Sequence, residues 1–293
     1  MEEMEQTKKK KTKKKSGKAS TLIFVAIFLV GLSLLLYPTV SDYWNSFTQS
    51  RAIATYSEQI DSMDAAERER ILASAAAYNE ALAQQVTNYN MTDAQLAEYN
   101  SQLSVEGSDV MGYIDIPAID CYLPIYHGTG DGVLQVAVGH LDWTSLPVGG
   151  QSSHCVLSGH RGLPSAKLFT DLDRLVEGDI FMITVLDQLM TYEIDQILIV
   201  EPSEVNALTI EEGKDYCTLV TCTPYGINTH RLLVRGHRID NLEDASAVHI
   251  AADAVHIEPL VVAPILAIPM LLVLLIFLLF GGRKKKKNPR GDE

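Results

Sequence analysis

Cys222 and Arg231 are the residues whose types and spacing most directly suggest chemistry. They lie within Thr218 to Arg238, TLVTCTPYGINTHRLLVRGHR. Thr218–Val220 and Leu232–Val234 are β-rich and apolar, and Pro224, Gly226 and Asn228 between them are turn formers. The stretch is predicted to be a β-hairpin with a loop from Thr223 to His230. Cys222 and Arg231 then sit at the two facing ends of that loop. A nearby guanidinium favours the thiolate, and the thiolate is the nucleophile. Side chains alternate along a strand, so Cys222 shares a face with Thr218 and Val220, while Cys217 faces the other way. A cysteine at a strand end is more often core than catalyst. The hairpin alone leaves both readings open.

A histidine is the second chemical group. His160 follows the apolar strand CVLS in SGHRGLPSAKLFTDLDRL, bracketed by Gly159 and Gly162. A helix is expected from Pro164, a good first helical residue. A histidine at a strand end in a Gly-rich turn can be exposed and positioned. The chain has eight histidines, and His127, His140, His154, His230 and His237 also fall near strand ends. Periodicity alone does not select His160. Cys121, Cys155, Cys217 and Cys222 lack CxxC spacing, which argues against a zinc site. The glycines between Gly128 and Gly132 are read as a turn, because no helix carrying GxGxxG follows.

The elements that must position these groups begin at Gly112. GYIDIP, CYLPIYHG, LQVAVGHL, CVLSGH, DIFMITVL, LMTYEIDQILIVEP, YCTLVTC and RLLVRGHRI are eight strand candidates separated by turn signals. That spacing predicts a compact β-barrel or sandwich. Upstream, AIATYSEQI and DAAERERILASAAAYNEALAQQV are rich in helix formers and lack proline. DSMD breaks them, with Asp64 as cap and Glu67 as its reciprocal partner. Residues 87–110 are expected to form a loop-like linker.

The chain has 293 residues, 47% of them hydrophobic, and a net charge of −13. Fourteen of its 24 bases lie before residue 20 or after residue 282. The middle region keeps 10 bases against 32 acids, which excludes nucleic acid as a partner. The lysine clusters adjoin two apolar runs, Thr21–Val40 and Leu260–Phe280. Each is long enough to span a bilayer. A cleaved signal peptide competes for the first run, but no A-x-A-like site follows it. Pro264 and Pro269 are tolerated in a lipid-embedded helix. By the positive-inside rule both termini are cytoplasmic and residues 41–259 lie outside.

TLVTC followed nine residues later by Arg231 resembles the active-site hairpin of sortases, the transpeptidases of Gram-positive surfaces. SGHRGLPSAKLFTDLDRL, LPIYHGT, GHL…TSLPVGG and TLVTCTPYGINTHRLLVRG are similar to class C, pilin-polymerising sortases. The resemblance covers nearly all of the outer region. It implies a mainly-β fold: an eight-stranded sortase β-barrel with N-terminal helices, flanked by two transmembrane helices. The expected organisation is a basic tail (1–20), a membrane helix (21–40), a helical region and linker (41–105) and a catalytic barrel (106–245). A linker (246–259), a second membrane helix (260–280) and a basic tail (281–293) follow.

The resemblance assigns His160, Cys222 and Arg231 as a catalytic trio needing no metal or cofactor. Cys222 attacks an LPxTG-like sorting signal between Thr and Gly. His160 serves as acid and then base, and Arg231 donates hydrogen bonds. A pilin lysine amine resolves the thioester. Its partners are pilin subunits and the lipid bilayer. Anchoring of surface proteins to a peptidoglycan precursor is one alternative. A non-catalytic scaffold of pilus assembly is another, against which the intact trio weighs. Class C enzymes commonly carry an Asp-Pro-aromatic lid, and this linker has none: Asp93 precedes Ala94 and Gln95. The lid is expected to be absent, short or differently built. An oxidising compartment permits a disulfide among Cys121, Cys155 and Cys217, with Cys222 free.

Overall fold

The computed structural model describes residues 16–85, 89–241 and residue 271. The chain divides into two compact units, one of residues 1–39 and 257–293, the other of residues 40–256. In the first unit the described structure is the beginning of helix α1, Ser16–Ser62. Among the described residues it is the one helix long and apolar enough to cross a membrane. Ile23, Phe24, Ile27, Val30 and Leu34 are exposed there, so apolar side chains are not confined to a stripe facing a core. The second apolar run, 260–280, lies outside the described residues apart from Leu271. So do most of both basic tails and the stretch 242–259.

In the second unit α1 buries Ile53, Tyr56 and Ile60 at helical spacing. The chain breaks after Ser62 and resumes as α2, Ala65–Ala83, capped by Asp64, which accepts from Ala66 N at 3.4 Å. Glu67 is not the reciprocal partner expected of it. Its carboxylate instead takes two hydrogen bonds from Arg70, one turn on. Asn79 of α2 clamps the backbone of Leu146, donating to its carbonyl at 3.0 Å and accepting from its amide at 2.7 Å.

The expected linker contains a helix, α3, Asp93–Ser101. Thr92 and Gln95 close a reciprocal capping box: Thr92 Oγ1 accepts from the Gln95 amide and Gln95 Oε1 accepts from the Thr92 amide. The flanking Asn and Gly residues obscured this in the sequence. α3 buries Tyr99 completely, and its hydroxyl meets His140 Nδ1 and the Gly128 amide, each at 3.0 Å.

Eight strands follow: β1 (Val110–Ile116), β2 (Cys121–His127), β3 (Val138–His140), β4 (Ser153–Ser158), β5 (Ile180–Val185), β6 (Gln188–Val200), β7 (Asp215–Thr223) and β8 (His230–Ile239). They close into a barrel in the order β1-β2-β3-β4-β7-β8-β6-β5. All eight predicted segments contain a strand. LQVAVGHL contributes only Val138–His140, because Asp131–Leu134 forms a single helical turn. Inward residues such as Ile114, Ile125, Leu157, Phe181, Leu219 and Val234 are wholly buried and form the core.

Candidate active site

The topology brings four strand ends to one rim. β4 and β7 are parallel neighbours, so both finish there. β8 is antiparallel to β7, so it starts there, and β6, antiparallel to β8, finishes there. The register then fixes who faces whom. Ser158 pairs with Val220, Val220 with Leu233, and Leu233 with Leu198. Two residues nearer the rim, Cys222 pairs with Arg231, and Arg231 with Val200. Continuing β4 by the same two residues sets His160 beside Cys222. Directly opposed residues share a face, so His160, Cys222, Arg231 and Val200 form one row on the outside of the barrel. Neighbouring members are about 5 Å apart at the backbone.

Local contacts hold the β4 end of that row. Gly159 N donates to Val220 O at 3.0 Å, extending the pairing past the strand. Thr221 Oγ1 donates to Gly159 O at 2.8 Å from the inner side of β7. A Cβ on Gly159 would lie 2.7 Å from the Phe169 ring, so the chain passes this point only as glycine. Phe169 N in turn donates to His160 O.

No helix begins at Pro164, contrary to the sequence expectation. The backbone of this segment is bonded elsewhere: Ser165 O accepts from Asn45, Lys167 N donates to Asp42, and Gly162 N donates to Thr170 Oγ1. Leu168 has φ 41, which an α-helix does not accommodate. The segment is therefore a loop fastened to α1 at one end and to the β7–β8 loop at the other. Gly162, with φ 74, lies so close to Tyr225 that a Cβ would be 2.9 Å from its ring. Arg161 lies over the same ring, 5.8 Å from its centroid, and is ion-paired with Asp173.

The chemical groups are accessible. Of the four cysteines only Cys222 is not buried. His160 and Arg231 are also partly exposed. Among the described residues no hydrogen bond or ion pair occupies the Cys222 sulfur or the His160 ring. Arg231 Nη1 donates to the carbonyls of His230 at 3.1 Å and Asn228 at 3.4 Å. These bonds aim the fork across the loop while leaving its other nitrogens free of protein partners among the described residues.

The remaining histidines separate by burial, which periodicity could not show. His140 and His154 are buried. Burial lowers the His154 pKa, and its ring joins Thr209 O to Thr218 Oγ1 at 2.9 and 2.7 Å. It thereby pins the β6–β7 connection to the barrel wall. His127 meets Gln102 O, His230 lies near Glu201 and His237 near Asp195. His249 and His256 lie outside the described residues.

Sequence reasoning missed the surface below the row. Val156, Leu208 and Leu233 form a second apolar cluster, joined by Trp143, Leu198, Val200 and Val220. It makes an apolar wall directly below Cys222. The outward apolar residues of β6, β7 and β8 are its signal in the sequence, legible only once the register is known. Tyr89 packs edge-on against Trp143, with ring centroids 4.9 Å apart. Val86, Thr87 and Asn88 lie outside the described residues. No group of three or more His, Cys, Asp or Glu among the described residues could hold a metal ion.

Comparison with known proteins places this architecture. Residues 114–239 match the family model described as the Sortase domain. Sortase C1 of Streptococcus agalactiae is 49% identical, with a TM-score of 0.64 over 66% of this chain and 100% of the solved one. Sortase C of Streptococcus pneumoniae is 44% identical, with a TM-score of 0.59 over 65% of this chain and 97% of the solved one. Its structure is described as giving insight into catalysis and pilin substrate specificity. Sortase D of Bacillus subtilis is 29% identical over 153 residues, 51% of this chain and 73% of its own. The chain belongs to the sortase family. It is an enzyme of the sortase type, and its solved neighbours include class C sortases.

Proposed function

We propose that the chain is a cysteine transpeptidase that polymerises pilin subunits, with His160, Cys222 and Arg231 as its catalytic residues. Cys222 attacks the Thr–Gly carbonyl of an LPxTG-like sorting signal. The C–N bond breaks as His160 protonates the departing glycine amine, leaving a thioester on Cys222. His160 then takes a proton from an incoming pilin lysine amine, which displaces the thiolate and forms an isopeptide bond. Arg231 donates to the carbonyl oxygen as charge builds on it. The single observation that carries this reading is the row itself: nucleophile, acid–base and donor stand on three neighbouring strands at one rim.

The apolar wall below Cys222 supports a peptide substrate whose Leu and Pro side chains pack on the partly exposed Val220 and Leu198. Likeness to class C sortases, one described with respect to pilin substrate specificity, supports pilin as the substrate. The two apolar runs and their lysine flanks support a two-span membrane protein with both termini cytoplasmic and the barrel outside.

The test is incubation with a sorting-signal peptide, followed by mass spectrometry. An acyl adduct on Cys222, with release of the glycine-led fragment, is expected. A folded protein that forms no adduct refutes the enzyme reading. Adding a pilin lysine peptide should discharge the adduct. Discharge only by a peptidoglycan-precursor amine would make the chain an anchoring enzyme instead.

A further inference from the structure

The mechanism leaves three thiols unused, Cys121, Cys155 and Cys217, all free in this structure. Cys155 of β4 and Cys217 of β7 are directly opposed in the parallel ladder, and both are buried in the core. Neighbouring strands run about 5 Å apart, inside the 4.4–6.8 Å Cα separation that a disulfide spans. Their side chains share the buried inner face of the barrel. Neither other cysteine competes. Cys222 is on the opposite face of β7, and Cys121 begins β2, paired to Ile116 of β1.

We propose that Cys155 and Cys217 form a disulfide that staples β4 to β7 through the inside of the barrel. The pair lies five residues before His160 and Cys222 on the same two strands. The staple therefore fixes the strands that set His160 beside Cys222. It also closes a loop holding the His160 segment, β5, β6 and the β6–β7 connection, which restricts the unfolded chain. The oxidant is an exchangeable disulfide, of a thiol–disulfide oxidoreductase or of oxidised glutathione. One thiolate attacks it and forms a mixed disulfide. The second cysteine displaces the carrier sulfur, so the Sγ–Sγ bond forms as the oxidant's S–S bond breaks. The oxidant leaves as two thiols carrying the two protons.

Burial pushes the Cys155 thiol up, but the neighbouring Cys217 and His140 outweigh that and hold it below the usual thiol range. Burial and the neighbouring sulfur push Cys217 up. Both thiols are shut off from solvent once the barrel closes, so the bond forms during folding. This depends on the proposed function only through the placement of the barrel outside the cytoplasm, which supplies the oxidant.

The test uses the full chain in detergent, isolated from membranes with free thiols alkylated at lysis and again after denaturation. Digestion without reduction should give the Cys155 peptide joined to the Cys217 peptide, with Cys121 and Cys222 alkylated. In a second arm the reduced, urea-unfolded chain is refolded with and without the oxidised and reduced glutathione pair. The same link should form, and the thermal midpoint of the barrel should rise by on the order of 5–10 °C over the reduced chain. Cys155→Ser or Cys217→Ser should remove the rise, and Cys121→Ser should keep it. Alkylated Cys155 and Cys217 in both arms, or a link to Cys121 or Cys222, overturns the proposal. A link in the refolding arm alone upholds the pairing and refutes the extracytoplasmic placement instead.

Discussion

Inside the barrel, β4 and β7 bring together Cys155 and Cys217, with His140 on the neighbouring β3. Outside it, five residues further along the same two strands, they gather His160 and Cys222. The residue types are nearly the same and the settings opposite. The inner thiols are buried and face each other across the ladder. The outer thiol is partly exposed at a rim, opposite Arg231 and above an apolar wall. A sulfur among core side chains has only its neighbours to react with. One at a strand end can meet a substrate. Position along the ladder, more than residue type, separates a structural thiol from a nucleophile.

The largest expected effect tests that separation directly. Cys222→Ala should abolish both the acyl adduct and transfer. Cys217→Ala should keep turnover within about threefold while removing the rise of on the order of 5–10 °C in thermal midpoint that the Cys155–Cys217 link contributes. The pair of variants is compared by adduct mass and thermal melt. Adduct formation in the Cys222 variant would end the distinction between the two faces.

Arg231→Lys comes next. The Arg231 fork is held through Nη1 by the carbonyls of His230 and Asn228. Lysine supplies the charge on a flexible stem without the planar fork. Loss of an oriented oxyanion donor costs on the order of 100-fold in turnover. Near-normal kcat in the lysine variant would reduce Arg231 to a source of positive charge.

The legible and illegible parts of the molecule divide along the same lines. The Cys222–Arg231 pairing could be read from TLVTC, the turn residues and the next apolar run, because a hairpin is local. The eight strands were legible from alternation and turn spacing. The parallel β4–β7 pairing was not, since its partners lie some 60 residues apart and no turn joins them. Without it nothing in the pattern ranks His160 above five other strand-end histidines; resemblance to a family supplied that choice. Pro164 misled because proline suits a helix start, yet here Asp42, Asn45 and Thr170 take the backbone groups a helix would use. α3 was overlooked because its capping residues Thr92 and Gln95 sit among loop-forming asparagines. At Pro164 long-range contacts overrode a local signal, and at α3 a local signal went unread.

Gly162 is where the His160 segment leans on the loop that follows Cys222. At φ 74 and with Tyr225 in contact, alanine meets both backbone strain and the ring. Gly162→Ala is expected to lower kcat/KM about tenfold, equivalent to ~1.4 kcal/mol. The thermal midpoint should fall by only a few degrees, because Gly162 itself is partly exposed and its neighbour is the exposed Tyr225 ring. An unchanged kcat/KM would show that Tyr225 yields freely and that Asp42, Asn45 and Thr221 suffice to place His160.

The smallest effect concerns the segment before α3, which touches the outer apolar cluster. Its contact there is Tyr89 against Trp143, and Trp143 belongs to the apolar cluster that includes Val220, one row below Cys222. Beyond Tyr89 the chain is committed elsewhere: Met91 packs on the core, Thr92 and Gln95 cap α3, and Tyr99 is buried. Deleting this stretch would dismantle α3, so a point change is the cleaner probe. An edge-on aromatic pair contributes about 1 kcal/mol. A closure resting on it can restrict access by no more than about tenfold. Tyr89 is itself 46% exposed, so it does not fill a sealed cleft. Tyr89→Ala is therefore expected to raise the labelling rate of Cys222 by a small thiol reagent less than tenfold, with kcat unchanged. A rise well beyond tenfold would mean that the segment covers Cys222 itself. The outer thiol would then be shielded in the resting enzyme, as the inner pair is, and its contrast with Cys155 and Cys217 would hold only once the segment had lifted.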